Sequence, residues 1–267
     1  MSLFIALILG IVEGLTEYLP VSSTGHLILV SQWLGQAGEG AKAFDIVIQL
    51  GAILAVAVHY RRLLAERLVG LVRADRAAIH LALALIVAFL PAALVGFAFH
   101  KAIKAHLFGP LPVAGALFFG GVLMIVVERV RAQRGDVGLV GLEHVTPGRA
   151  VAIGLGQCVS LWPGSSRSMC TIVAGQCTGL STATAAEFSF LLALPTLGAA
   201  TLYEGFKARH ELTSSVGAAP VWVGMVVSFF VAWAVIAAFL RYLQRHGLAP
   251  FGYYRIVLAL LVFLLVR

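Results

Sequence analysis

The chain has 267 residues, of which 60% are hydrophobic and 12% charged, and its mean hydropathy is +0.97. Soluble domains are nearer half apolar and a quarter charged, so the composition excludes an ordinary soluble domain and predicts a polytopic helical membrane protein. The net charge of +7 would suggest nucleic-acid binding in a soluble protein, but here it fits basic loops facing anionic lipid headgroups, and we expect no nucleic-acid partner.

Apolar runs divide the chain into two kinds of membrane segment. Two apolar regions, 2–34 and 149–179, are interrupted at LPVSSTGH and WPGSSRS, and each half is short for a full crossing. They predict two re-entrant helical hairpins, because irregular backbone at membrane depth is tolerated only where protein or a water-filled cavity satisfies it. Membrane-spanning helices are predicted for six other runs: 44–60, 79–99, 112–128, 185–206, 219–240 and 251–266.

The two interrupted regions are similar in sequence. Residues 10–13 correspond to 154–157, residues 44–51 correspond to 188–195 at the same offset, and Ser22-Ser23 faces Ser165-Ser166 nearby. Each half then has one hairpin and three crossings, and the odd number inverts the second half relative to the first. We predict one membrane domain over 1–267, all-α and polytopic. Its inverted-topology repeats span about 1–130 and about 148–267, with a site near the midplane where they meet.

Charge predicts the orientation of the chain. The loops at 61–77, 129–149 and 241–250 share one side of this topology and carry eleven arginines, against six lysines and arginines on the other side. The positive-inside rule puts the arginine-rich side in the cytoplasm. Both termini and the entrance of the first hairpin would then lie outside. The second hairpin would enter from the cytoplasm, and the two hairpin tips would meet inside the membrane.

The first hairpin carries two acids, Glu13 and Glu17, within EGLTE. Four residues on a helix correspond to about 40° around its axis, so both carboxylates share one face. A carboxylate costs ~2.5 kcal/mol or more inside a membrane segment, and two on one face repel unless a cation or proton intervenes. The pair predicts a divalent-cation site, for Mg²⁺ or Ca²⁺, or a general acid–base pair. The alternative is an interfacial helix with both acids in water.

A hydroxyl and imidazole cluster follows Pro20 in the segment SSTGH. His26 lies three residues after Ser23, close enough for imidazole and hydroxyl to face one locus. Ser22 adjoins them and is expected to bind substrate phosphate. Serine needs a base to become a nucleophile, and histidine can be that base or attack phosphorus itself. A lone histidine satisfied by its surroundings is the alternative, and the segment by itself does not decide between them.

The second hairpin breaks at PGSSRSMCT, which is rich in hydrogen-bond donors. Pro163-Gly164 marks a turn, and a helix starting at Ser165 or Ser166 would present backbone N–H groups and the positive end of its dipole. Arg167 adds a planar fork suited to two phosphate oxygens. The hydroxyls of Ser168 and Thr171 fall in the same cluster, so the segment predicts a phosphate site. The alternative is Ser/Thr bonding between helices, with Arg167 neutralising a glutamate.

Together these segments resemble a known family. EGLTEYLPVSSTGHLIL and LWPGSSRSMCTI look like the two signatures of the undecaprenyl-diphosphate phosphatase family of bacitracin-resistance membrane proteins, and the resemblance covers essentially the whole chain. It implies hydrolysis of undecaprenyl diphosphate to the monophosphate and inorganic phosphate. That reaction recycles the lipid carrier for peptidoglycan synthesis at the periplasmic face of the bacterial inner membrane and confers bacitracin resistance.

The resemblance also implies roles for single residues. It places the acidic pair on Glu13 and Glu17, the serine on Ser23, the histidine on His26 and the arginine motif on Ser166, Arg167 and Thr171. One departure is Met169, where many members have a small residue, and it puts the close packing of that helix in doubt. The expected partners are a polyprenyl diphosphate lipid and membrane lipids. A homodimer is compatible with the sequence, which does not itself give the oligomeric state.

The mechanistic hypothesis follows from these roles. Arg167, Ser166, Thr171 and the helix N-terminus hold the diphosphate, while Glu13 and Glu17 hold a cation or move a proton. Ser23, His26 or water attacks, and we favour Ser23. Two other classes stay open at this point: a transporter that flips a lipid monophosphate or moves another anion, which an inverted repeat also suits, and a lipid-binding resistance protein without turnover.

Overall fold

The computed structural model describes residues 1–107 and 109–265, and these residues are mainly helical. Within them the only β-structure is an isolated bridge between Leu139 and Leu180. The α-helices in chain order are α1 Leu3–Thr16, α2 Ser23–Trp33, α3 Glu39–His59, α4 Arg61–Val72, α5 Arg76–Leu107, α6 Pro110–Gln133, α7 Pro147–Val159, α8 Arg167–Cys177, α9 Thr182–Lys207, α10 Arg209–Glu211, α11 Ala218–Leu243 and α12 Ala249–Leu265.

The chain is an all-α multi-pass membrane protein. Among the described residues, α3, α5, α6, α9 and α11 are long and apolar enough to cross a membrane, which agrees with five of the six predicted runs. The sixth run is α12, an apolar helix of 17 residues whose predicted end at residue 266 lies outside the described residues. Large apolar side chains such as Leu83, Leu94 and Trp222 point outwards, as expected for surfaces in contact with lipid.

One predicted loop is helical. Residues 61–77 contain the twelve-residue helix α4, none of whose side chains is buried. Its Arg61, Arg62 and Arg67 are interspersed with leucines and valines, a composition typical of a helix that lies in the membrane interface. The arginines on which the loop prediction rests therefore belong to a helix that is too polar to cross the membrane.

The contacts of the chain define two compact units. The first comprises Met1–Leu19, Ser23–His59 and Ala193–Phe239, and the second comprises Pro20–Ser22, Tyr60–Leu192 and Leu240–Arg267. Each unit therefore takes segments from both halves of the sequence. The assignment of one domain with repeats of about 1–130 and about 148–267 stays a prediction.

In the first unit, α1 and α3 pack against α11 through glycines. A Cβ added at Gly10 would lie 2.7 Å from the carbonyl oxygen of Gly224, and one added at Gly14 would lie 2.7 Å from that of Ser228. At Gly51 an added Cβ would overlap the carbonyl oxygen of Met225. Such close backbone contact commonly holds helices together in lipid. Lipid tails are as apolar as the helix surfaces, so the hydrophobic effect does not drive the helices together.

In the second unit, α6 and α12 cross at a glycine pair. A Cβ added at Gly121 would lie 2.6 Å from the carbonyl oxygen of Gly252. The Glu128 carboxylate, on α6, accepts hydrogen bonds from the N–H groups of Leu248 and Ala249 at the start of α12. A negative charge at a helix N-terminus is favourable, so this contact fixes the register of α12 along α6.

The C-terminal end of α8 is closed by two arginines. Arg131 donates to the carbonyls of Gln176 and Leu180, and Arg149 donates to that of Thr178 at 3.0 Å. Cations there satisfy the last carbonyls and complement the helix dipole. The helix that carries the second serine motif is thus fixed at the end opposite to the motif.

The two hairpins have the same backbone register. Helices α2 and α8 begin at 23 and 167 and end at 33 and 177, so both bounds differ by 144 residues. Directly before each helix lies a serine in the left-handed region, Ser22 with φ 73° and Ser166 with φ 71°. Ser22 therefore corresponds to Ser166, and Ser23 corresponds to Arg167. The predicted match of Ser22-Ser23 with Ser165-Ser166 is one residue out of register.

Candidate functional site

The two acids of the first hairpin are buried within the first unit. Glu13 is 0% exposed and Glu17 is 6% exposed. Glu13 lies on the side of α1 that also buries Ala6, Leu9 and Gly10, and Glu17 is the residue that caps the C-terminal end of this helix. This burial disagrees with the alternative of an interfacial helix whose acids both face water. Buried carboxylates are retained only where a proton, a cation or hydrogen-bond donors compensate their charge.

Ser23 is hydrogen-bonded to one of these acids. As the first residue of α2, it is 8% exposed, and its hydroxyl donates to Oε2 of Glu17 at 2.7 Å. A carboxylate in that position can take the hydroxyl proton. His26, predicted as the base or as the nucleophile itself, lies one turn further along α2 and is partly exposed. The carboxylate partner of Ser23 was not predicted, because the six-residue separation crosses the hairpin turn.

Tyr18 anchors the residue next to Glu17. Its ring is fully buried, and its hydroxyl donates to the carbonyl oxygen of Ala52 on α3 at 3.0 Å. The side chain therefore ties the end of α1 to a neighbouring membrane helix. Sequence reasoning missed this role of Tyr18, because a tyrosine beside an acidic motif is more often an ordinary residue of the hydrophobic core.

In the second unit the second motif caps a helix, as predicted. Helix α8 begins at Arg167, and the hydroxyl of Ser166 accepts a hydrogen bond from the N–H of Met169 at 3.3 Å. The hydroxyls of Ser166 and Ser168 share a further hydrogen bond at 3.0 Å, and Ser165 is also buried. The left-handed φ of Ser166 is costly for a residue with a Cβ, and such strain is found mainly at functional sites.

Arg167 is oriented by a residue that the motif does not contain. Its Nη1 donates to the carbonyl oxygen of Ser189 at 2.8 Å and to the Ser189 hydroxyl at 3.3 Å. That hydroxyl also shares a 2.6 Å hydrogen bond with Thr171, which donates to the carbonyls of its own helix as well. Thr171 thus supports Arg167 through Ser189. The repeat register could have identified Ser189, which occupies the position of Asp45 in the first half.

Met169 packs where a neighbouring glycine leaves room. It is 2% exposed, and a Cβ added at Gly120 would lie 2.8 Å from its Cε. The same Cβ would overlap Nη2 of Arg255. The long thioether therefore fills a space between α6 and α8 that the absent side chain of Gly120 provides, so the doubt about close packing is resolved in favour of a tight fit.

A divalent cation fits the first hairpin only in part. Among the described residues, no group of three or more histidine, cysteine and acidic side chains could hold a metal ion. Glu13 and Glu17 nevertheless supply two buried carboxylates. Mg²⁺ is commonly held by one or two carboxylates together with waters and substrate phosphates, so this donor set suits a cation that arrives with a phosphorylated substrate.

Comparisons with known proteins point to one family. The family described as "Bacitracin resistance protein BacA" matches residues 6–261. A protein named undecaprenyl-diphosphatase from Sorangium cellulosum is 62% identical over 97% of this chain and 85% of its own length. Proteins of the same name from Rhizorhabdus wittichii and Thermoanaerobacter pseudethanolicus are 48% and 46% identical, over 100% and 98% of this chain and 99% and 96% of their own lengths.

Proposed function

Since the chain belongs to the family of the bacitracin resistance protein BacA, we propose that it is a membrane phosphatase acting on undecaprenyl diphosphate. It converts this lipid to undecaprenyl phosphate and inorganic phosphate, and so returns the carrier to peptidoglycan synthesis. The observation that carries the chemistry is the 2.7 Å hydrogen bond from the Ser23 hydroxyl to the Glu17 carboxylate. A flippase needs no activated hydroxyl, and this alternative is not favoured.

Ser23 and Glu17 form a nucleophile and its base in this proposal. Glu17 takes the hydroxyl proton as the Ser23 oxygen attacks the terminal phosphorus of the diphosphate. The bond from that phosphorus to the bridging oxygen breaks, and undecaprenyl phosphate leaves. Water then attacks the phosphorus of the phosphoserine, and its oxygen and both of its protons leave as inorganic phosphate. The bond from phosphorus to the Ser23 oxygen breaks, and this oxygen takes back the proton held by Glu17, which restores the starting state. Attack by His26 or directly by water remains the competing proposal.

Arg167 and the start of α8 supply the binding energy for phosphate. The bond from Nη1 of Arg167 to Ser189 holds the guanidinium in a fixed orientation, and its planar fork suits two phosphate oxygens. Ser165, Ser166 and Ser168 add hydroxyls around a helix N-terminus, a favourable place for an anion. In phosphoryl transfer most of the catalysis comes from such positioning and charge stabilisation.

Glu13 and Glu17 are the residues that would hold a divalent cation, Mg²⁺ or Ca²⁺. When bound, the cation neutralises negative charge on the diphosphate. With Glu17 also accepting from Ser23, the proposal assigns Glu13 mainly to cation binding and Glu17 to both tasks.

The proposed location of the protein is the bacterial inner membrane. The excess of arginine in the segments 61–77, 129–149 and 241–250, which connect membrane helices, supports a cytoplasmic side there. The protein would then lie in the bacterial inner membrane with periplasmic termini and a site reached from the periplasm. A homodimer is part of the same proposal, because outward-facing apolar helices suit association as well as lipid contact.

Phosphate release from undecaprenyl diphosphate by the purified protein in detergent tests the proposal. Arg167→Ala should lower kcat/KM by about 10³-fold, as expected for loss of a main transition-state contact. Arg62→Ala is the matched control, since Arg62 is exposed on α4, and it should leave turnover unchanged. A wild-type protein that releases no phosphate, or near-normal turnover by Arg167→Ala, would contradict it.

A further inference from the structure

A second arginine, Arg255 on α12, is completely buried in the second unit. Its side chain is 0% exposed, and its guanidinium donates to four backbone carbonyl oxygens. Two acceptors are on α6, Ala116 with Nη2 at 3.0 Å and Leu117 with Nε at 3.3 Å. The other two are Pro20 with Nη1 at 3.1 Å and Gly164 with Nη2 at 3.0 Å.

This arrangement is expensive and therefore calls for a reason. A charged side chain within a membrane protein costs several kcal/mol unless it is paired, and a guanidinium normally finds a carboxylate. Within the described part of the chain, no ion pair to a carboxylate involves Arg255. Among the described residues, the acceptors of its four hydrogen bonds are all backbone carbonyl oxygens. An intramembrane cation held in this way indicates a role in function.

The two loop carbonyls occupy equivalent places in the hairpins. Pro20 lies three residues before Ser23, and Gly164 lies three residues before Arg167. Both carbonyls belong to hairpin turns, where neither helix supplies them with a partner, and buried carbonyls require one. The Arg255 guanidinium thus donates to one carbonyl shortly before Ser23, the proposed nucleophile. It donates to a second carbonyl shortly before Arg167, the proposed phosphate ligand.

The guanidinium itself is held rigidly. Its other two bonds go to α6, along which the contacts of Glu128 and of the Gly121–Gly252 pair fix α12. A planar guanidinium with donors in fixed directions holds its acceptors in fixed positions relative to one another. The absent side chain at Gly120 provides the space in which the guanidinium lies.

We propose that Arg255 is a positioning residue of the phosphatase, which fixes the backbone of both motif turns, at Pro20 and at Gly164, to one rigid point on α6. The inference rests on the proposed function, because it assigns the purpose of this geometry to phosphoryl transfer. Displacement of a catalytic group by about 1 Å can cost about 10²-fold in rate. Loss of the guanidinium should therefore act on kcat more than on substrate binding.

Three variants test this positioning role. Arg255→Met keeps the volume and removes every donor. Arg255→Lys keeps the charge, but one ammonium cannot reach four carbonyls in the directions of a fork. Gly120→Ala keeps Arg255 and displaces its Nη2. Leu258→Ala, also buried in α12, is the control, because it leaves a cavity in the same helix and keeps the four hydrogen bonds of Arg255.

The first readout is steady-state phosphate release, normalised to the folded fraction in detergent. We expect kcat to fall by about 10²-fold in Arg255→Met and Arg255→Lys, with KM within about threefold of wild type, and by about tenfold in Gly120→Ala. Leu258→Ala should retain kcat per folded molecule. If the Arg255 variants lose no more kcat than Leu258→Ala at equal thermal stability, the residue is structural only and the proposal is wrong.

The second readout is hydrogen–deuterium exchange, which needs no turnover. Peptides covering 19–23 and 163–166 should exchange at least tenfold faster in Arg255→Met than in wild type, while α3 stays unchanged. Unchanged exchange in either turn would overturn the proposal even if activity were lost. If the wild-type protein released no phosphate, the proposed function would be wrong. The exchange experiment would still show whether Arg255 fixes the backbone of the two turns.

Discussion

Replacement of Ser189 by alanine isolates the support of Arg167 from Arg167 itself. The Ser189 side chain is completely buried, and its hydroxyl accepts from Arg167 at 3.3 Å and bonds to Thr171 at 2.6 Å. The 2.8 Å bond from Arg167 to the backbone carbonyl of residue 189 persists in the variant. Ser189→Ala therefore loosens the guanidinium without releasing it.

The expected magnitude follows from the bonds removed. Hydrogen bonds to charged groups contribute about 1.5 to 3 kcal/mol, and the 3.3 Å separation from Arg167 argues for the lower value. Thr171 loses one partner but still donates to the carbonyls of Arg167 and Ser168, so it adds little. A loss of about 1.5 kcal/mol in transition-state binding lowers kcat/KM by roughly tenfold. Removal of Arg167 should cost about a hundred times more.

Phosphate release by purified variants, together with their melting temperatures in detergent, measures this effect. Ser228→Ala is the matched control. Ser228 is equally buried, but its hydroxyl has no hydrogen-bond partner in the described part of the chain, so its removal should be neutral or stabilising. If Ser189→Ala retains kcat/KM within twofold of Ser228→Ala, the hydroxyl does not orient Arg167. A thousandfold loss would instead make Ser189 a direct ligand of the substrate.

Two further predictions concern helix packing and the cation. Gly51→Ala should destabilise the protein by about 1 to 3 kcal/mol, because the new Cβ would overlap the backbone of Met225, and gel filtration in detergent should show less folded protein. Gly198→Ala, with open space around the added methyl, should leave the elution profile unchanged or improve it, and equal behaviour of the two variants would contradict the packing argument. Chelation with EDTA should lower phosphate release at least tenfold and Mg²⁺ should restore it, with Glu13→Gln raising the Mg²⁺ concentration for half activation. Full activity in excess EDTA would refute the assignment of Glu13 to a cation.

The local features of the site could be predicted because they depend on neighbours in sequence. Glu13 and Glu17 are four residues apart, so any helix that contains them brings both carboxylates to one side. The serine at 166 caps the helix that follows, because its hydroxyl needs to reach only three residues along the chain. The start of α8 is thus a property of a short segment, and the structure agrees with the prediction.

The long-range features could not be predicted in the same way. Arg255 bonds to carbonyls at positions 20, 116, 117 and 164, which nothing in the sequence near 255 indicates. Every residue has a backbone carbonyl. The sequence therefore does not indicate which carbonyls will accept hydrogen bonds from a side chain such as that of Arg255. The predicted alignment of Ser22-Ser23 with Ser165-Ser166 is wrong by one residue for a related reason. Ser22 corresponds to Ser166 because both have a left-handed backbone conformation, which the sequence does not show.

The matched left-handed serines bear on how a protein of this kind could arise. Ser23 and Arg167 occupy the same position in their helices, each directly after a left-handed serine. If the two hairpins arose by duplication of one single-hairpin chain, both copies first carried the same residue at this position. Mutation could treat the two positions separately only once both copies were joined in one gene. Under the proposed function, the division of tasks between Ser23 and Arg167 would then be younger than the backbone conformation that the two hairpins share.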